Sequence, residues 1–318
     1  MYETGTGVPK DEAEAVRWYR KAADQGWAKA QNNLGWMYET GRGVPKDEAE
    51  AVRWYRKAAD QGWARAETDL GLAYANGRGV PKDDAEAVCW YRKAADQGNA
   101  LAQANVGWMY ENGRGVPKDE PEAVYWYGQA ADQGNAAAQT NLGWMYENGS
   151  GVPKVEVEAA SWWYKAADQG HVDAEINLAQ VFANGLGLPK DEAEAVRWWR
   201  KAADQGNAVA RSNLGVAYAF GKGVPQDEAE AVRWWRKAAD QGEWRAQLGL
   251  GWMYERGETV PKDEVEAYKW FKLAAAGGHP PPDLVMTNLE QRMTPGQIAE
   301  AQRRAREWVA HSDVEQKR

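Results

Sequence analysis

The chain has little of the chemistry that most enzymes and metal proteins need. Its 318 residues include one cysteine and three histidines, and the only serines are Ser150, Ser161, Ser212 and Ser312. The lone Cys89 excludes an intramolecular disulfide and a cysteine metal site. His171, His279 and His311 have no paired spacing that suits a metal ligand set or a general base. No apolar run reaches 18 residues, so no membrane span is expected. No apolar stretch follows Met1 as a secretory signal would require. A basic footprint is missing as well. Asp and Glu number 47 against 39 Lys and Arg, giving a net charge of −8, which argues against a nucleic-acid partner.

Tryptophan, by contrast, is abundant: 19 residues against 3 phenylalanines, as if a few positions had been copied many times. Pro9, Pro45, Pro81, Pro117, Pro153, Pro189, Pro225 and Pro261 recur every 36 residues. Trp18, Trp54, Trp90, Trp126, Trp162, Trp198, Trp234 and Trp270 keep the same period, as do Gly26 and its seven successors. A fixed period of this length is the mark of stacked repeats.

Residues 26–61 show why the unit should be a helix pair. Ala30, Leu34 and Tyr38 form one helical stripe, with Gly35 beside it to admit a neighbouring backbone. Gly41 supplies a left-handed stop, and Gly43-Val44-Pro45 forms a turn that cannot extend the helix. Asp47 with Glu50 reads as a capping box for a second helix that buries Ala51, Val52, Trp54, Tyr55, Ala58 and Ala59. The fold expected is all-α, built from stacked 36-residue helix-turn-helix repeats. Paired acids such as Asp47-Glu48 then read as caps rather than as acid–base partners. The Gly-x-Gly loop lacks the Lys-Ser/Thr of a phosphate cradle.

Three segments are expected: a truncated repeat over 1–25, seven complete repeats over 26–277, and a C-terminal cap over 278–318. Met1-Tyr2-Glu3 is in phase with Met37-Tyr38-Glu39, so the sequence begins in mid-repeat, as a fragment or a late start codon would. That leaves Trp18 and Tyr19 without a covering first helix. At the other end, a short helix over 283–293 is followed by Thr294-Pro295-Gly296-Gln297, which opens a last helix with a frayed tail from about Ser312. Localisation stays open: cytoplasmic if the chain is complete, periplasmic or secreted if a signal has been lost upstream.

The motif Ala30, Leu34, Gly35, Tyr38, Gly41, Gly43, Val44, Asp47, Ala51, Trp54, Ala58, Ala59, Gly62 resembles the Sel-1-like repeat, a relative of the tetratricopeptide repeat. Thr259, Val155 and Ala179 depart from it, at the second loop glycine, an N-cap and the helix glycine. The resemblance implies a right-handed α/α superhelix, with first helices lining a concave groove, that acts as a bacterial protein-interaction adaptor. Some relatives have been described as β-lactamase-like, yet no serine here begins a Ser-x-x-Lys motif. The expectation is a non-enzymatic scaffold without cofactor or metal.

Candidate contacts come from columns that vary between repeats. Positions 29, 32, 36 and 40 fall opposite the core stripe on a helical wheel. Trp36, Trp108, Trp144 and Trp252 share one of these columns, with Gln180 in the same column and Thr140 in another. Asn105, Asn141 and Asn177 belong to an asparagine column flanking the core. The tryptophans could anchor a partner or pack between first helices, and the asparagines could bind a peptide or satisfy backbone groups. Trp108 and Trp144 are expected to lead, with room above them beside Ala104, Ala137 and Thr140. The partner expected is a protein segment. A carbohydrate or peptidoglycan fragment stacked on tryptophan is the alternative, and a hydrolase a distant third.

Overall fold

Each 36-residue period folds as the helix pair its caps and glycines require. The computed structural model of the chain describes residues 11–315, and side chains over 11–309. The expectations placed on Met1-Tyr2-Glu3 and Pro9 lie outside the described residues. Within them there are seventeen helices and no strand. First helices of the repeats are α2 (Ala28–Thr40), α4 (Ala64–Asn76), α6 (Ala100–Asn112), α8 (Ala136–Asn148), α10 (Val172–Asn184), α12 (Ala208–Phe220) and α14 (Trp244–Arg256). Second helices are α1 (Glu12–Asp24), α3 (Glu48–Ala59), α5 (Asp84–Asp96), α7 (Glu120–Asp132), α9 (Glu156–Asp168), α11 (Glu192–Asp204), α13 (Glu228–Ala239) and α15 (Glu264–Ala276). Two further helices, α16 (Asp283–Arg292) and α17 (Pro295–Glu315), close the chain.

The chain divides into two compact units, residues 1–166 and 167–318. In the first, each helix from α1 to α8 packs on the next; in the second, α10 to α15 do the same, and α15 also carries α16 and α17.

Asp47 caps α3 by accepting from the Glu50 N–H at 2.9 Å. The return half of the expected capping box is absent, because the Asp47 N–H is already spent on the Tyr38 carbonyl at 2.9 Å. The Glu50 carboxylate pairs instead with Arg53 at 3.1 Å. Gly41 ends α2 at φ 71°. Gly43 does more than turn the chain. A Cβ there would lie 2.3 Å from the Glu12 carbonyl oxygen, so the loop of one repeat rests on the start of the preceding second helix. Thr259, at the equivalent position, instead donates its hydroxyl to Glu228.

Second-helix tryptophans join the repeats. Trp54 packs with Ala15 and Val16 of the preceding repeat and with Leu34 and Met37 of its own, and Trp90 and Trp126 repeat the arrangement one and two periods on. Gly35 admits both an aromatic ring and a neighbouring backbone: a Cβ there would stand 2.7 Å from the Tyr55 ring and 3.0 Å from the Ala51 carbonyl oxygen. A buried polar ladder also links repeats. Gln61 donates to Gln31 at 2.7 Å, and Gln31 donates to the Ala23 carbonyl at 3.1 Å. At the cap, Thr294 and Gln297 form a reciprocal box, with the Thr294 N–H donating at 2.8 Å and the Gln297 N–H returning at 3.3 Å. The helix it opens continues to Glu315, and the remainder of the tail expected from Ser312 lies outside the described residues.

Candidate functional site

The first-helix face is less open than a helical wheel suggests. Position 32 and its equivalents turn inward: Asn32, Thr68, Ala104, Thr140 and Ser212 are all buried. Neighbouring first helices meet along this column, as where Asn32 donates to Asp69 at 2.9 Å. Thr140 therefore does not line a groove. Its hydroxyl donates to the Ala136 carbonyl at 2.8 Å, and its own carbonyl accepts the Trp163 indole N–H at 3.1 Å. Of the three small neighbours expected beside Trp108 and Trp144, Ala104 is buried like Thr140, whereas Ala137 is exposed.

Position 36 and its equivalents remain partly open. Trp108 is 39% and Trp144 is 44% exposed, whereas Trp36 and Trp252 are half-buried. Loop arginines cover two of the four rings. Arg42 lies over Trp36 at 4.7 Å and Arg114 over Trp108 at 5.1 Å, and those arginines pair with Glu12 and Asp84. Ser150 takes the arginine position beside Trp144. The asparagine column points to side chains rather than to backbone groups where partners are resolved: Asn141 hydrogen-bonds the Tyr127 hydroxyl. Asn105 keeps a buried amide nitrogen without a hydrogen-bond partner among the described residues, and Asn177 is half-buried.

Two cavities open along the first helices of the second unit, at the same register one repeat apart. One, of ≈ 460 Å³, is lined by Val216, Phe220, Trp235, Trp244, Leu248 and Trp252, with Glu228, Arg245 and Arg256 at its edges. The other, of ≈ 280 Å³, is lined by Gln180, Asn184, Lys190, Glu192, Trp199, Asn213, Val216 and Lys222. Gln180 and Trp252 are thus candidate residues that the structure brings to cavities, in adjoining ones that share Val216.

A pair of positions sixteen residues apart creates these openings. In earlier repeats Tyr55 and Tyr127 donate their hydroxyls to Glu39 and Glu111 at 2.7 and 2.6 Å, closing the space. Burial and the adjacent carboxylates push both phenols far above their ordinary range. At the two cavities the glutamate is replaced by Ala183 and Ala219, and the tyrosine by Trp199 and Trp235. Trp235 is held between two residues that lack side chains. A Cβ on Gly215 would stand 2.4 Å from its ring, and one on Gly249 2.8 Å. Its indole N–H donates to the Ser212 carbonyl at 3.1 Å.

The apolar pocket thus has Trp235 fixed at its floor and a rim of mixed charge, Arg245, Arg256 and Glu228. Arg245 stacks on Trp244 at 4.5 Å and lies 3.7 Å from the buried Glu243. Nothing in either cavity forms a nucleophile–base pair. Among the described residues no group of three His, Cys, Asp or Glu could hold a metal ion, and no helix is long and apolar enough to cross a membrane. Cys89 is exposed, and His279 stacks on Trp244 at 4.0 Å.

Helix pairs at a 36-residue period, packed on one another within each compact unit, define a tandem-repeat protein of the α-solenoid class. The chain belongs to the Sel1 repeat family: the family model described as Sel1 repeat matches residues 1–27, 28–63, 64–99, 100–135, 136–171, 172–207, 208–243 and 244–279. Such proteins are in general protein-interaction scaffolds. A Sel1 repeat protein from Oxalobacter formigenes is 38% identical, covering 87% of this chain and 80% of its own, with a TM-score of 0.68. A protective antigen of uropathogenic Escherichia coli strains, displaying an SLR fold, is 33% identical over 97% of this chain and 82% of its own, with a TM-score of 0.49. No curated protein matches.

Proposed function

We propose that the chain is a non-catalytic adaptor that holds a segment of a partner protein along α10, α12 and α14. The observation that carries this reading is the ≈ 460 Å³ pocket floored by Trp235, Leu248 and Trp252, with Arg256, Glu228 and the Glu243-paired Arg245 at its rim. A preformed apolar cavity with a few charged groups at its edge suits one bulky side chain of a peptide flanked by acids. Membership of a family of interaction scaffolds supports the same reading.

Peptide display against the purified chain tests it. Selected sequences are expected to share an aromatic or leucine anchor next to Asp or Glu. Phe220→Ala and Arg256→Glu alter exposed residues, so both should leave the melting midpoint unchanged while weakening the selected peptides. Anchoring contacts of this kind are worth about 2 kcal/mol. Selection of peptides insensitive to both changes would overturn the assignment. Saturable tryptophan quenching by peptidoglycan fragments, abolished by Phe220→Ala, would move it to glycan.

A further inference from the structure

We propose that Trp144 and Glu120 form a receptor for the guanidinium group of an arginine in a partner segment, a site that two other repeats fill with arginines of their own. The site lies in the first unit and does not rest on the ≈ 460 Å³ pocket of the second.

The template for it is complete twice in this chain. Arg42 donates from Nε to Glu12 at 2.8 Å and lies over the Trp36 ring at 4.7 Å. Two periods on, Arg114 holds Asp84 side-on, Nε to Oδ2 at 3.0 Å and Nη2 to Oδ1 at 2.9 Å, while it lies 5.1 Å from the Trp108 ring. In both cases the arginine comes from the loop and the ring from the first helix before it. The carboxylate opens the preceding second helix. The ring helps to steer the arginine: where Leu72 takes its place, Arg78 pairs with Glu39 instead, at 3.1 Å.

The repeat of α8 has every part except the arginine. Trp144 keeps the column, Glu120 opens α7 as Asp84 opens α5, and Ser150 replaces Arg42 and Arg114. The loop backbone is unchanged. Gly149 and Gly151 both have φ 71°, against 71° and 70° for Gly41 and Gly43. A Cβ on Gly151 would stand 2.4 Å from the Glu120 carbonyl carbon, and one on Gly43 would stand 2.4 Å from that of Glu12. The serine thus starts where an arginine would and is too short to cover the ring. Among the described residues no cation lies over Trp144, which at 44% is the most exposed of the four column tryptophans.

The acid has capacity to spare. Glu120 pairs with Lys118 at 2.8 Å, an exposed contact of small energetic worth. Its equivalents serve two cations: Glu48 lies in the fields of Lys46 and Arg78, and Glu192 in those of Lys190 and Lys222. A carboxylate accepts at several lone pairs, so one lysine does not block a second donor. Glu147, one turn along from Trp144, adds negative charge, since Trp163 replaces the tyrosine that bonds Glu39 and Glu111 in other repeats. An indole face beside a carboxylate suits guanidinium better than ammonium, because the flat group stacks while its edge hydrogen-bonds. Membership of a family of interaction scaffolds makes a partner's side chain the source.

The experiment follows the Trp144 indole resonance in a chain labelled with 15N-tryptophan, assigned by its loss in Trp144→Phe. N-acetyl-arginine amide, N-acetyl-lysine amide and N-acetyl-citrulline amide are titrated in turn. The arginine compound is expected to move that resonance saturably, the lysine compound to bind more weakly, and the uncharged citrulline compound to have no effect. Glu120→Gln should weaken the arginine compound by about tenfold, the loss of one charge-assisted contact. Ser150→Arg should bring the resonance close to its arginine-saturated position without ligand and abolish the response, whereas Ser150→Ala should keep it. No saturation by the arginine compound, equal affinity for the lysine or citrulline compound, or an undiminished response in Ser150→Arg would each overturn the proposal.

Discussion

In α3 the Glu50 carboxylate pairs with Arg53, and the buried indole N–H of the adjacent Trp54 has no hydrogen-bond partner among the described residues. The same holds where Glu230 pairs with Arg233 beside Trp234, and where Glu266 pairs with Lys269 beside Trp270. Cys89 and Tyr125 take the place of that cation in two other repeats. There the released carboxylates accept the indole: Trp90 donates to Glu86 at 2.9 Å and Trp126 to Glu122 at 3.0 Å. Cys89→Arg should therefore draw Glu86 away from Trp90 and orphan a buried donor. The expected loss is about 1–2 kcal/mol, read as a lower melting midpoint. Cys89→Ser, which leaves Glu86 free, should cost much less. An equal loss in both variants would show that Cys89 acts through packing instead.

At the scale of the helix pair, the polar ladder carries a pH dependence. Glu67 and Glu175 stand where Gln31, Gln103 and Gln139 stand in other repeats, and accept from Gln97 and Gln205 at 2.7 and 2.9 Å. Burial, the largest cause in each case, raises both carboxyls above their ordinary value. A raised native pKa means that the folded state binds the proton more tightly than the unfolded chain does. The destabilisation is then fully present above the native pKa and vanishes as pH falls below the unfolded value. Glu67→Gln and Glu175→Gln keep an acceptor oxygen and remove the charge. Each should raise the melting midpoint at neutral pH, by a stabilisation on the order of 1 kcal/mol, and the gain should disappear near pH ~4. A gain that persists there would assign the effect to something other than the buried charge.

Across the whole molecule, what could be read from the chain was what recurs. The period, the Asp caps and the glycine stops repeat at fixed offsets, so each repeat repeats the argument for the others. Ala183 with Trp199, and Ala219 with Trp235, lie sixteen residues apart on either side of a loop. Their pairing appears only when two helices are brought together, and so the cavities escaped a reading made helix by helix. Position 32 was misplaced for a related reason: a helical wheel has one partner face, whereas a first helix here also touches its equivalents in adjoining repeats. Ala179 was visible as a departure from the glycine column, but its full burial shows only once the helices are brought together.

Repeats that stabilise only their neighbours also differ in local stability. Trp54, Trp90 and Trp126 are buried between the preceding second helix and their own first helix, whereas Trp18 in α1 is 53% exposed. Amide exchange is expected to be faster across α1 than across α3, α5 or α7, by hydrogen-exchange mass spectrometry. Equal protection in all four helices would mean that Trp18 is covered in solution, for instance by a second copy.

Ala179 has a consequence for how such an array changes over time. Alanine and glycine codons differ by a single base, so a point mutation can exchange the two residues at this first-helix position in any repeat. The reading frame and the period would be untouched. Gene conversion between near-identical repeats works the other way, overwriting the odd copy with its neighbours' glycine. Persistence of the alanine in a lineage would then record selection for the difference itself, because homogenisation alone would restore the glycine.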